Sequence, residues 1–342
     1  MRYNIDRVGG LDDYKYNMGL WFMKEISLEH ISDLFPEALL VGSQSQPISR
    51  VIGISEAAGR TCLDAASWVS DKNIDAINPE SLCLGLLILT PQAQAKLHGA
   101  RCNFLVVANP RSCFFKLLNT MSKTERPSKV ESSAVLHPSL KVGQNCYIGH
   151  NVVIEESCSI GNNVVVLHNT VILAGTTIGD NVVIGCNNTI GNYGFGYEMD
   201  ESGDYEPLQH IGGVVIGNKV EIHNNTCIDR GVLGNTEIHD NVKIDNLVHV
   251  AHGVIIERNS LIIANAMIGG STRIGPNCWI APSVSVINKA AIAAGTMTGI
   301  GAVILKNTDE NGTYIGNPAI KMEEHRKWSA IRKVLMADQA GG

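Results

Sequence analysis

From Val130 onward an aliphatic residue returns at every sixth position: Val130, Leu136, Val142, Ile148, Ile154, Ile160, Val166, Ile172, Ile178, Ile184 and Ile190. The series resumes at Ile216, Ile222 and Ile228, slips by four residues, and then runs from Ile238 through Ile244, Val250, Ile256, Ile262, Ile268, Ile274, Ile280, Val286, Ile292 and Thr298 to Ile304. Every rung but Thr298 is Val, Ile or Leu. A helix repeats every 3.6 residues and a strand every two, so neither keeps a period of six, whereas short parallel strands joined by tight corners do. Four positions after a rung stands a small or β-branched residue, as at Cys146, Val152, Thr170, Thr226 and Val242, which makes two inward positions per hexad. Gly, Asn and Asp crowd the corners between, where turns call for positive φ. Three hexads close one triangular coil, so the repeats predict about nine coils stacked some 40 Å high at about 4.8 Å per strand.

Two segments break the period. Residues 191–213, with an aromatic start and an acidic middle, are too long for a corner and must leave the prism as a loop; long loops on rigid scaffolds commonly carry function. Asp229 to Glu237 forms a shorter bulge containing Asp229-Arg230-Gly231. Before the repeats, residues 82–90 and 102–109 read as buried strands and the segment opening at Pro110 as a helix. The expected organisation is a leader extension over 1–23, an α/β nucleotide-binding-like domain over 24–121, a polar linker over 122–129, the β-helix over 130–306, and a C-terminal segment over 307–342 ending in a basic helix.

Composition narrows the function classes. Lys and Arg number 27 against 33 Asp and Glu, a net charge of −6, so no global positive field exists to condense on nucleic acid or an anionic membrane. The charged N-terminus lacks the apolar run of a secretory signal, and no apolar stretch is long enough for a membrane span, so the default location is the cytoplasm. The 9 cysteines include no C-x-x-C pair and read as reduced, small apolar fillers.

In a stacked coil, residues one full turn apart lie directly above one another. His252 stands two positions after rung Val250, and Gly270 lies one coil later, about 4.8 Å away along the stack. A neutral imidazole beside a backbone N–H is what acyl transfer to an amine requires: a base for the proton of the nucleophile and a donor for the oxyanion. Histidines also occupy other prism positions, namely His137, His150, His168, His223 and His239, so position alone does not single out His252. A zinc site built on His249 and His252 is the metal alternative, disfavoured because no third histidine lies at a matching coil offset.

The segments Gly194-Phe195-Gly196-Tyr197, Thr226 to Gly231, Ile244 to His252 and Ile268 to Ser271, in this order and spacing, resemble the UDP-3-O-(3-hydroxyacyl)glucosamine N-acyltransferases of lipid A (lipopolysaccharide) biosynthesis. The likeness covers nearly the whole chain and implies a left-handed parallel β-helix of hexapeptide repeats. By this resemblance His252 is the general base and Gly270 N–H the oxyanion donor, with Asp245 and Asn246 near the acyl donor and the histidine. Phe195 and Tyr197 flank the sugar or thioester across a subunit boundary, and Trp68 stacks on the nucleotide base. The resemblance further implies a homotrimer with sites between adjacent prisms. It needs no bound cofactor: the acyl group comes from the phosphopantetheine thioester of an acyl carrier protein, and the acceptor is a UDP-linked 3-O-acylglucosamine.

Some positions depart from the family pattern. Lys289 replaces a second histidine, the residues after Trp68 differ from the uridine motif, and Ala302 and Val303 fall where the family measures acyl length. The basic residues Arg326, Lys327, Arg332 and Lys333 suit carrier-protein docking or a solvated face, with the second favoured. Two other readings therefore stand beside the first: an N-acyltransferase that uses a short-chain coenzyme A thioester on another nucleotide-linked amino sugar, and a non-catalytic scaffold that only binds a sugar nucleotide.

Overall fold

The computed structural model describes residues 23–43, 45–122 and 127–340. The leader extension, apart from its last residue, and positions 123–126 of the linker lie outside the described residues. The chain divides into two compact units, residues 1–125 and 126–342.

In the first unit, strands Leu39–Val41, Arg101–Val106, Cys83–Leu89, Thr61–Trp68 and Arg50–Val51 lie side by side in that order. Cys83–Leu89 is buried at every position, which explains its unbroken apolar run. The helix Pro110–Met121 is capped by Asn109, whose side chain accepts from Ser112 N. It buries Cys113, Leu117 and Met121 with Leu86, Ile88 and Leu105.

The second unit is the parallel β-helix that the hexads predict, with the left hand that the family resemblance implies. One face stacks 9 strands, from Val135–Leu136 through His249–Val250 to Val303–Ile304. Ordinary coils pair residues 18 apart, as Val153 with Val171 and Ile154 with Ile172. The interior is a column of buried rungs with the small residues between them. Thr298, the one polar rung, is buried, and its hydroxyl accepts the Ala281 N–H at 2.8 Å. The first coil has no coil beneath it to pack on, and Val130 and Val142 stay exposed.

The corners refine the role expected of Gly and Asn. Positive φ falls three positions after the rung, usually on Asn, as at Asn145, Asn163 and Asn181. Gly directly after a rung serves a different purpose: a Cβ on Gly161 would lie 2.7 Å from the Gly179 carbonyl oxygen of the next coil. Two short strands beyond the rungs, Thr313–Ile315 and Ile320–Lys321, close the stack ahead of the helix Met322–Ala340.

Both interruptions leave the prism at the same corner. Residues 191–213 follow strand Thr189–Asn192 and the bulge follows Cys227–Asp229, neighbours on one face. Pairing survives each insertion: Thr189 still meets Cys227, and Cys227 still meets His249. The loop contains its own hairpin, with Tyr197–Met199 against Tyr205–Pro207. Among the described residues no helix is long and apolar enough to cross a membrane.

Candidate active site

His252 sits on the corner that carries both insertions, just after strand His249–Val250. The following Gly253 takes a φ of +65°, and its N–H donates to Thr236 Oγ1 at 2.9 Å, tying the turn to the end of the bulge. Gly270 lies one coil on, fixed by the pairing of His249 with Met267 and Val250 with Ile268. A Cβ on Gly270 would be 2.6 Å from His252 Nε2 and 2.7 Å from Cε1, so only glycine lets the imidazole lie against this backbone.

On the other two corners several of the N–H groups two positions after a rung are capped by a side chain. Asn162 N donates to Asp180 Oδ1, Asp180 N to Asn218 Oδ1, Cys186 N to Asn224 Oδ1 and Asn224 N to Asn246 Oδ1. Gly270 N–H donates to no acceptor among the described residues, while its carbonyl accepts from Lys289 N at 2.8 Å. The imidazole thus stands beside an amide still able to donate.

The loop and the bulge wall this site. Gly212 N donates to the Gly231 carbonyl at 3.1 Å and Ile211 N to that of Val232 at 2.8 Å. Arg230 donates from Nε to the Gly191 carbonyl and from a terminal nitrogen to that of Ala174, each at 2.7 Å. Gly194 passes so near the histidine that a Cβ there would lie 2.8 Å from His252 Cβ. The loop also delivers His210, buried, with its ring 5.3 Å from that of His252.

Burial holds the His252 imidazole below its ordinary pKa, and nearby His210 and His249 push the same way. The ring is therefore neutral at neutral pH, the form a base needs. Asp229, largely buried, lies 3.7 Å from His249; burial pushes its carboxyl up, while His249 and His210 draw it back. Among the described residues no group of three or more His, Cys, Asp or Glu side chains could hold a metal ion.

The other expected residues fall in several places. Lys289 is exposed on the same corner, one coil past Gly270, at a φ of 61°. Phe195 and Tyr197 are exposed on the loop with ring centroids 4.9 Å apart. Asp245 and Asn246 occupy a different corner of their own chain, after strand Lys243–Ile244. There Asp245 accepts the Asn246 and Ala264 N–H groups and lies 3.7 Å from His223, and Asn246 caps Asn224. One chain does not bring that pair to His252. Trp68 belongs to the first unit. It packs on Phe114 and, with Ile54, Ser70 and Asn73, lines an open cavity of about 390 Å³. Ala302 is fully buried inside the prism, which leaves only Val303 turned outward for any role in measuring chain length.

Sequence reasoning missed His210, Gly194, Arg230 and Thr236 as parts of this corner. Arg230 and Gly194 stood inside the quoted motifs, but nothing periodic marks what they touch.

A coiled prism of hexads with a histidine at one corner and a bare glycine amide above it defines the hexapeptide-repeat acyltransferases. The family description "Bacterial transferase hexapeptide (six repeats)" matches residues 235–270, and "GMPPB C-terminal domain" matches 130–232. Over 306 residues, 89% of each chain, the sequence is 36% identical to a UDP-3-O-acylglucosamine N-acyltransferase of Delftia acidovorans. It is 39% identical over 138 residues, 40% of each chain, to UDP-3-O-acylglucosamine N-acyltransferase 2 of Legionella pneumophila. The chain belongs to the UDP-3-O-acylglucosamine N-acyltransferase family. In fold it resembles the UDP-N-acetylglucosamine acyltransferase of Campylobacter jejuni, with a TM-score of 0.51 at 23% identity over 56% of this chain and 73% of that one. The corresponding enzyme of Bacteroides fragilis gives 0.51 at 24% identity over the same shares.

Proposed function

We propose that this protein transfers a 3-hydroxyacyl group from a carrier-protein thioester to the 2-amine of a UDP-linked 3-O-acylglucosamine, a step of lipid A biosynthesis. The observation that carries this reading is the neutral His252 ring held against Gly270 at a walled corner. The amine nitrogen attacks the thioester carbonyl carbon and His252 takes its proton. Gly270 N–H donates to the oxyanion as the carbon becomes tetrahedral. Collapse re-forms the carbonyl and breaks the C–S bond, and the imidazolium returns the proton to the departing thiolate.

Other parts of the chain have roles in the same reading. Trp68 and the cavity beside it receive the nucleotide base, which an indole can stack. Phe195 and Tyr197 flank the sugar or the acyl chain. In a homotrimer the corner of Asp245 and Asn246 faces the His252 corner of a neighbouring protomer, which reconciles their separation within one chain with a role near the donor. Lys289 offers its ammonium to a donor phosphate. Coenzyme A carries more phosphates than phosphopantetheine, so Lys289 favours a coenzyme A thioester as the second reading.

The test is turnover of UDP-3-O-acylglucosamine with 3-hydroxyacyl carrier protein. His252→Ala should lower the rate by roughly 10² to 10⁴ while nucleotide-sugar binding persists. An unchanged rate makes the prism a binding scaffold. Activity with acetyl-coenzyme A alone selects the second reading.

A further inference from the structure

Two buried ring nitrogens without partners among the described residues meet where the 191–213 loop reaches His252. His210 is 2% exposed, and its Nδ1 lies 2.8 Å from the Leu208 carbonyl oxygen. A carbonyl only accepts, so Nδ1 carries the proton and Nε2 of the neutral ring is a bare acceptor. That Nε2 is buried with no partner among the described residues, and so is Nδ1 of His252. Buried polar atoms in this condition are uncommon, and two side by side invite a joint explanation.

The rings are 5.3 Å apart and inclined at 76°. A Cβ on Gly194 would lie 2.8 Å from His210 Nε2 and 2.9 Å from His252 Cδ2, so the bare nitrogen looks toward that edge of the His252 ring. A half-turn about the Cβ–Cγ bond keeps the ring in the same volume and exchanges Nδ1 with Cδ2 and Nε2 with Cε1. Cε1 sits as close to Gly270 as Nε2 does, 2.7 Å against 2.6 Å from the added Cβ. The half-turn therefore leaves a nitrogen against Gly270 and turns the other toward His210.

We propose that His210 is a positioning residue for the base: its Nε2 accepts the Nδ1–H of His252, which keeps the lone pair of His252 on Nε2 beside Gly270. An imidazole then does what a carboxylate does in other histidine-based sites, fixing tautomer and ring orientation. It adds no negative charge to a pocket that already contains Asp229. The loop completes the base as well as walling the site, and Gly194 is glycine because a side chain there would enter the space between the two rings. This inference rests on the reading of His252 as base, so its test has one readout that needs no substrate.

That readout is ¹⁵N NMR of histidine-labelled protein, with His252 assigned by its loss in His252→Ala. The wild type should show the Nδ1–H tautomer. His210→Phe, which fills the volume without an acceptor, should shift His252 toward the Nε2–H form and lower kcat about 10- to 100-fold, with KM within about twofold. His210→Gln, whose amide oxygen can accept, should restore the tautomer and most of kcat. If His210→Phe fails to fold, His210→Asn, an amide too short to reach, supplies the same comparison. A wild-type tautomer or unchanged kcat in the acceptor-free variant overturns the proposal, as does an equal loss in His210→Gln. A tautomer change of the expected kind in protein that turns over none of the proposed substrates upholds the positioning role and removes the substrate reading.

Discussion

Arg230 and Tyr193 hold the 191–213 loop at its root: the guanidinium lies 5.3 Å from the centre of the Tyr193 ring while its nitrogens reach the Gly191 and Ala174 carbonyls of earlier coils. The short bulge at Asp229-Arg230-Gly231 thereby anchors the long loop that leaves the same corner one coil before. Lysine cannot make both bonds and keep the planar contact. Arg230→Lys should lower turnover about tenfold and speed protease cleavage between residues 196 and 208 about fivefold, with the melting temperature of the prism little changed. Limited proteolysis with mass spectrometry and steady-state kinetics check this, and a loop as resistant as the wild type's would refute the anchoring role.

Gly270→Ala isolates the close approach at the base. The backbone there is not left-handed, so alanine strains nothing but the imidazole it would touch at 2.6 Å. Displacing the ring by about an ångström should cost about 10² in kcat. Thermal melting should stay near the wild-type value. Loss of activity accompanied by loss of the fold would assign the glycine to architecture.

The pH dependence follows from the depressed pKa of His252. The base must be unprotonated, so kcat/KM falls as pH drops through the folded-state pKa, and burial places that midpoint below the ordinary imidazole value of about 6.5. His249 pushes in the same direction, so His249→Gln should move the acid limb toward higher pH. A pH–rate profile of both proteins decides, and an acid limb above the ordinary imidazole value in the wild type would contradict the assignment.

Trp68→Ala should raise KM for the nucleotide sugar severalfold and leave kcat nearly unchanged, because in the proposed function the indole binds the base and takes no part in the proton transfer. Trp68→Phe should recover much of the affinity. If only the melting temperature falls, the indole serves packing with Phe114.

Inside the prism, Thr170 donates its hydroxyl to the Gly185 carbonyl at 2.8 Å and accepts the Asn188 N–H at 3.2 Å. Thr170→Val keeps the shape and orphans both groups, so chemical denaturation should show a loss of about 1–3 kcal/mol. No loss would mean that water replaces the hydroxyl.

The prism was legible because its information is local and repeated. Each rung sees only the coils above and below, so a period of six is enough to order the faces, and the same spacing that predicts Gly270 above His252 is realised in the paired strands. The separation of Asp245 and Asn246 from His252 within one chain has a related reason. They precede it closely in sequence, but each hexad turns the chain onto the next face, and in one protomer they cap a different corner.

What the chain by itself determined is therefore the scaffold and the height of each residue on it, since burial of an aliphatic every sixth position admits little else. Only the tertiary structure decided what the aperiodic segments do. His210 meets His252 across the loop, and Arg230 reaches Ala174 from 56 positions away. Such contacts depend on where a loop lands, and no repeat constrains that landing: it is settled by close backbone approach at Gly194 and Gly212 and by satisfying buried polar groups.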